Sequence, residues 1–188
     1  MKILLFGSIA AGKTTIAQEL SRQHPAFEII SIDDFRKKHG DYTLDGEKTA
    51  IENFVGAIKN NSNQIIEASG LGIPGSEIYE KIAGFGEDTV LLIILYVQIN
   101  EIKKRIKDKV WDTPFPGKQE NLDRIIQTIN FGIQFGNIPM TWSELPNVTI
   151  LQIENKDIET KKFILKTINN YIKLKPLKIL GKKNQHKI

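Results

Sequence analysis

A three-layer α/β fold around a parallel sheet is what this sequence predicts, and three observations carry the prediction. Short apolar runs of strand length alternate with helical patterns, the arrangement of βαβ units. The first run leads directly into a glycine-rich turn, GSIAAGKT, that opens a helical stretch. The 188 residues suit one domain with a single core.

Composition narrows the classes first. Hydrophobic residues at 40% and charged residues at 26% are globular values, not those of a disordered or fibrous chain. With no cysteine, disulfides, thiolate metal sites and cysteine nucleophiles are excluded. The apolar start, MKILLF, reaches glycine at position 7, too soon for a signal peptide. The most apolar stretch, 90–97, is far too short to span a bilayer. A cytoplasmic protein without membrane association is expected. The net charge of +4 sits at the end of the chain: residues 173–188 hold six lysines and no acid, and the remainder carries 20 basic against 22 acidic residues. The expected division is a folded domain over 1–172 and a basic tail over 173–188, the tail a solvated end.

Five strands are predicted, at 3–6, 28–32, 64–67, 89–97 and 148–153. A helix over 15–22 follows the first. Ile51, Phe54, Val55 and Ile58 fall at i, i+3, i+4 and i+7, one apolar helical face, and Leu122, Ile125, Ile126, Ile129 and Ile133 form a longer one. Asn100 is placed to cap a helix carrying Ile102 and Ile106, and Asp157 to start a last helix carrying Ile164, Leu165 and Ile168. The segment 111–142, with its prolines, glycines and both tryptophans around one helix, reads as an excursion over the sheet that suits a lid or substrate loop.

Residues 7–14 fit G-x-x-x-x-G-K-[ST] in the right setting, strand before and helix after. Gly7 and Gly12 let backbone N–H groups turn inward around phosphate oxygens, helped by the positive helix end. The predicted nucleotide cradle is Gly7, Ser8, Ile9, Ala10, Ala11, Gly12, Lys13, Thr14 and Thr15. Lys13 reaches the outer phosphates, and the Thr14 hydroxyl joins the Mg²⁺ shell. A GTPase would also need N-K-x-D, and the nearest match, NKDI at 155–158, has isoleucine in place of the carboxylate.

The second strand ends in SIDDFR. Carboxylates at a strand's C-terminal end lie where ligands collect in open α/β sheets. Asp33 is the candidate to accept a hydroxyl proton, Arg36 to clamp an anionic acceptor, and one of Asp33 and Asp34 to cap the following helix.

With these residues in place, the chain resembles the P-loop kinases of the adenylate kinase, shikimate kinase and polynucleotide 5′-kinase type. GSIAAGKTT and SIDDFR are most similar to the kinase domain of phage polynucleotide 5′-kinases, and the likeness covers about the first 110 residues. It implies sheet order 2-3-1-4-5, ATP and Mg²⁺ as cofactors, Asp33 as base and Arg36 as acceptor clamp. It also implies a water-mediated Mg²⁺ role for Glu67, where QIIEASG departs from the family's aspartate and asparagine. A lid arginine is implied at Arg105, with Arg124 the second candidate; an arginine fork suits a transferring phosphoryl group. Trp111, Phe115, Phe131 and Trp142 are either ring-stacking residues or core. The expected function is ATP- and Mg-dependent phosphotransfer to a nucleotide, nucleoside or similar small acceptor. Its rivals are a polynucleotide 5′-hydroxyl kinase, disfavoured by the acidic body, and a nucleotide-binding regulator with little turnover.

Overall fold

The computed structural model describes residues 1–86, 88–107, 112–114 and 118–183, with the backbone alone at 118–121, 139–141 and 175–183. Trp111, Phe115 and Lys109 lie outside the described residues. Five strands, β1 (Lys2–Gly7), β2 (Glu28–Ser31), β3 (Gln64–Ala68), β4 (Val90–Tyr96) and β5 (Val148–Glu154), form one parallel sheet ordered β2-β3-β1-β4-β5. The predicted order and all five strands stand, with ends moved by one residue. The central strands are buried on both faces, which is why they read as continuous apolar runs.

Eight helices are described: α1 (Lys13–Gln23), α2 (Ile32–His39), α3 (Leu44–Gly56), α4 (Gly72–Ala83), α5 (Ile99–Lys107), α6 (Lys118–Gln134), α7 (Asn137–Trp142) and α8 (Ile158–Lys183). Side chains of Leu4, Phe6, Ile66 and Ile94 point into a core shared with α3, α4, α6 and α7. The alternate residues Ile3, Leu5, Ile65 and Ile93 are equally buried on the other face, where α1 lies against β1, β2 and β3. The chain divides into two compact units, Met1–Asn155 and Lys156–Ile188. In the second, Asp157 caps α8 as expected, its Oδ1 accepting from the Thr160 backbone N–H at 2.9 Å. No described helix is long and apolar enough to cross a membrane.

Two caps differ from expectation. α5 begins at Ile99, with Ile102 N–H donating to Gln98 O at 3.0 Å, so Asn100 lies inside the first turn and caps nothing. α2 begins at Ile32, which makes Ser31 the N-cap position and leaves Asp33 and Asp34 in the first turn, where they favour the helix through its dipole. α4 is hidden from periodicity by Gly72, Pro74 and Gly75 in its first turn. Gly75 is required by packing, because a Cβ there would stand 2.5 Å from the Gly70 carbonyl oxygen.

Two features fix the ends of the sheet. At its amino end Lys2 is wholly buried, its Nζ donating to Ser62 O at 2.7 Å and lying 3.1 Å from Asp88 Oδ2. At its carboxyl end Phe6 meets Trp142 edge-on, with ring centroids 5.7 Å apart, and Trp142 meets Tyr79 the same way at 5.3 Å. Gly70, at φ +80°, lies flat against the Phe6 ring, which a Cβ would strike.

Candidate functional site

β1 ends at the sheet's carboxyl edge, and the chain must reverse there into α1. Gly12 makes the reversal at φ +89°, and a Cβ at that position would stand 2.6 Å from Asn155 Nδ2. Both facts require glycine. Asn155 Nδ2 also donates to Ala11 O at 2.8 Å, so the loop is tied to the residue that follows β5. Lys13 Nζ folds back along the loop, donating to Gly7 O at 3.2 Å and Ser8 O at 2.9 Å. The Ser8 hydroxyl is buried with no partner among the described residues.

Thr14 and Glu67, the two residues named for the metal, are brought into direct contact. The Thr14 hydroxyl donates to Glu67 Oε1 at 2.5 Å. Glu67 is 4% exposed, and its Oε2 has no partner among the described residues. Glu67 is therefore not the wholly unpaired acid that a strand-end carboxylate suggests. Burial pushes its carboxyl above the ordinary glutamate value, against the downward pull of the Lys13 charge and the Thr14 hydrogen bond. A hydroxyl and a carboxylate with one free oxygen are hard donors of the kind Mg²⁺ takes when phosphates and water complete its shell. Among the described residues no group of three or more His, Asp or Glu side chains converges, so a fully protein-built metal cage is not present there.

Parallel register carries the acceptor side to the same edge. Ser31 pairs with Glu67, so Asp33 stands two residues past the point where β2 runs level with the metal candidate. Arg36, one turn along α2, is anchored rather than extended. Its Nε and Nη2 donate to the Glu47 carboxylate of α3, at 2.9 and 2.6 Å, and its Nη1 donates to Asp33 Oδ1 at 3.1 Å. Burial works to lower the Arg36 pKa, but the hydrogen bonds and charges of Glu47 and Asp33 outweigh it and hold the group above its ordinary value. The guanidinium is thus a fixed fork of two-sided charge-assisted bonds. Residues of the excursion come down beside this helix: Lys37 Nζ lies 2.8 Å from Asp112 Oδ2, and Pro114 borders Gly40.

Arg105, on α5, reaches across the phosphate loop. Its Nη1 donates to Ala10 O at 3.3 Å, its Nη2 to Asn155 O at 3.0 Å and its Nε to Glu101 at 3.1 Å. Arg124 is not brought in: it is exposed on α6 and makes no hydrogen bond or ion pair among the described residues. Trp142 is core, at 2% exposure, while Phe131 is exposed and pairs with Phe135. A hollow of about 220 Å³ lies at the sheet's amino end, between Val90, Leu145 and Val148, away from all of these groups.

Three residues of this region are absent from the sequence-based set. Glu47 follows Arg36 by eleven positions, with no local pattern to connect them. Asn155 reads in sequence only as part of a failed base-reading motif. Asn130 is 4% exposed on α6, and neither amide atom has a partner among the described residues.

No family model matches the sequence, and no curated protein matches it. Solved structures do. Shikimate kinase from Acinetobacter baumannii in complex with shikimate is similar at TM-score 0.62 and 17% identity, over 91% of this chain and 92% of that one. Shikimate kinase from Bacteroides thetaiotaomicron is similar at 0.58 and 14% identity, over 93% and 99%. Deoxyadenosine kinase from M. mycoides with bound dATP is similar at 0.58 and 18% identity, over 90% and 100%. The fold is that of the P-loop kinases.

Proposed function

We propose that the protein is a cytoplasmic ATP- and Mg-dependent phosphotransferase acting on a nucleotide, nucleoside or similar small acceptor. The observation that carries this is the convergence at one sheet edge of the Lys13 loop, the Thr14–Glu67 pair and the Asp33–Arg36–Glu47 group. The neighbour in complex with shikimate, a small molecule, supports a small acceptor over a polymer. The loop from Gly7 to Thr15 holds the donor phosphates through backbone N–H groups, and Lys13 leaves its loop carbonyls for the outer phosphates. Arg105, already lying across the loop, stabilises charge on the transferring group. Thr14 and Glu67 would hold Mg²⁺, which would supply positive charge against the phosphate oxygens. The acceptor hydroxyl oxygen attacks the γ-phosphorus, the bond to the β-phosphate oxygen breaks, and ADP leaves with that electron pair. Asp33 takes the hydroxyl proton, oriented by the Arg36 fork, whose positive charge favours an anionic acceptor group.

The test is incubation with ATP, Mg²⁺ and a pooled panel of nucleosides, nucleotides, small metabolites and 5′-hydroxyl oligonucleotides, read by mass spectrometry. A phosphorylated small molecule is expected. A phosphorylated oligonucleotide in its place would move the assignment to a polynucleotide kinase, and ATP binding without any product would move it to a regulator.

A further inference from the structure

Among its described side chains, the buried face of α6 carries one polar residue. Ile126, Asn130 and Ile133 share a stripe at helical spacing, 2%, 4% and 0% exposed, and only Asn130 brings hydrogen-bonding groups into it. An amide offers two donors and an acceptor with two lone pairs. Here Nδ2 and Oδ1 are both buried without a partner among the described residues. Such a group is costly to keep, and an apolar residue of the same shape would be the better core choice.

Its place along the helix is fixed from two sides. Ile133 O accepts from Gln152 Nε2 at 3.3 Å, and Gln152 runs level with Ile94, which runs level with Phe6. Phe6 is the residue before the phosphate loop. Gly132 lies against Leu71, where a Cβ would stand 2.6 Å from Leu71 Cδ1, and Leu71 is three residues beyond the end of β3. The turn of α6 that carries Asn130 therefore lies at the level of the carboxyl edge of the sheet. That is the crevice in which open α/β sheets bind ligands.

We propose that Asn130 is a specificity residue of the acceptor site and reads an uncharged edge bearing both a hydrogen-bond donor and an acceptor. The inference rests on the phosphotransferase assignment and deepens it. A carboxamide satisfies such an edge with two bonds and has no net charge to match an anion. Two sources present this chemistry, the amide or amidine edge of a nucleobase and a pair of neighbouring hydroxyls on a polyol. A site built around polar groups rejects acceptors that leave them unpaired far more strongly than an apolar pocket rejects an extra group.

Asn130→Leu removes both polar atoms at similar volume, and Asn130→Asp keeps the acceptor oxygens while removing the donors. Wild type and both variants would be assayed with Mg-ATP against adenosine, guanosine, cytidine and thymidine in one arm, and glycerol, inositol and ribitol in the other. Asn130→Leu is expected to melt no lower than wild type, to leave the KM for ATP within twofold, and to raise the KM of the preferred acceptor at least tenfold. The stabilising thermal shift given to wild type by that acceptor alone should vanish in the variant. Preference for one arm identifies the source of the edge. An acceptor KM and thermal shift unchanged in Asn130→Leu would overturn this inference while leaving the kinase assignment intact. A wild type that phosphorylates nothing in either arm, nor in the wider panel, would overturn that assignment and this inference with it.

Discussion

Glu67→Gln separates what the phosphate site costs from what it does. Glu67 Oε1 accepts the Thr14 hydroxyl at 2.5 Å, and a glutamine carbonyl preserves that bond. Oε2 is buried and unmet, and the amide puts a neutral polar atom where a charged one stood. An unmet buried polar atom costs about 1–3 kcal/mol, more when charged. Neutralising it is expected to return about 1 kcal/mol, or about 2–4 °C in Tm for a chain of this size. The gain is reduced, though not reversed, by the loss of a counter-charge for Lys13, because burial is the larger influence on this carboxyl. The pH dependence fixes the sign. A carboxyl raised in the folded state stays protonated there after its unfolded counterpart has ionised. Stability is therefore lost as pH rises from the ordinary glutamate value of 4.5 to the raised one, and stays lost above it. The variant should match wild type at pH 4 and exceed it at pH 8, in ligand-free thermal melts at both values. Its phosphotransfer should fall, with a raised Mg²⁺ requirement. A variant that melts at or below wild type at pH 8, or by the same margin at both pH values, would refute this account of Glu67.

Lys13→Ala should abolish turnover with the melt unchanged; wild-type-like phosphotransfer would remove the basis of the nucleotide site. Asp33→Asn should lower kcat by about 10²–10⁴ with ATP affinity unaffected, and a fully active variant would pass the base role elsewhere. Gly12→Ala places a Cβ 2.6 Å from Asn155 Nδ2 at φ +89°, and should cost about 1–3 kcal/mol by chemical denaturation together with weaker ATP binding. A chain ending at Tyr171 should keep its Tm and small-molecule activity; loss of steeply salt-dependent oligonucleotide binding on truncation would instead assign the tail to nucleic acid.

Much of this architecture is legible from local signals. Buried parallel strands announce themselves as continuous apolar runs, and a phosphate loop has a fixed spacing because its backbone must close on a ligand of fixed size. Residues defined by distant partners do not. Arg36 looks like a free clamp until Glu47 arrives from the next helix. Asn155 acquires meaning only when β5 delivers it to Gly12. Asn130 is invisible because a helical stripe is read by its apolar members, and α4 because Gly72, Pro74 and Gly75 are breakers by composition yet serve here as close-packing residues. The basic tail and the 111–142 excursion carry no long-range pattern that could assign them a role.

The edge-on contact of Phe6 with Trp142, and the glycine pressed against the same ring, bear on how this sequence can drift. One ring sets the spacing between the turn that follows β1 and the turn that follows β3. A side chain at position 70 has room only if position 6 shrinks, and a smaller residue at 6 leaves Trp142 without its partner. The three positions are therefore expected to change together or not at all among descendants of this chain, so that the space between these two turns is inherited as a single character.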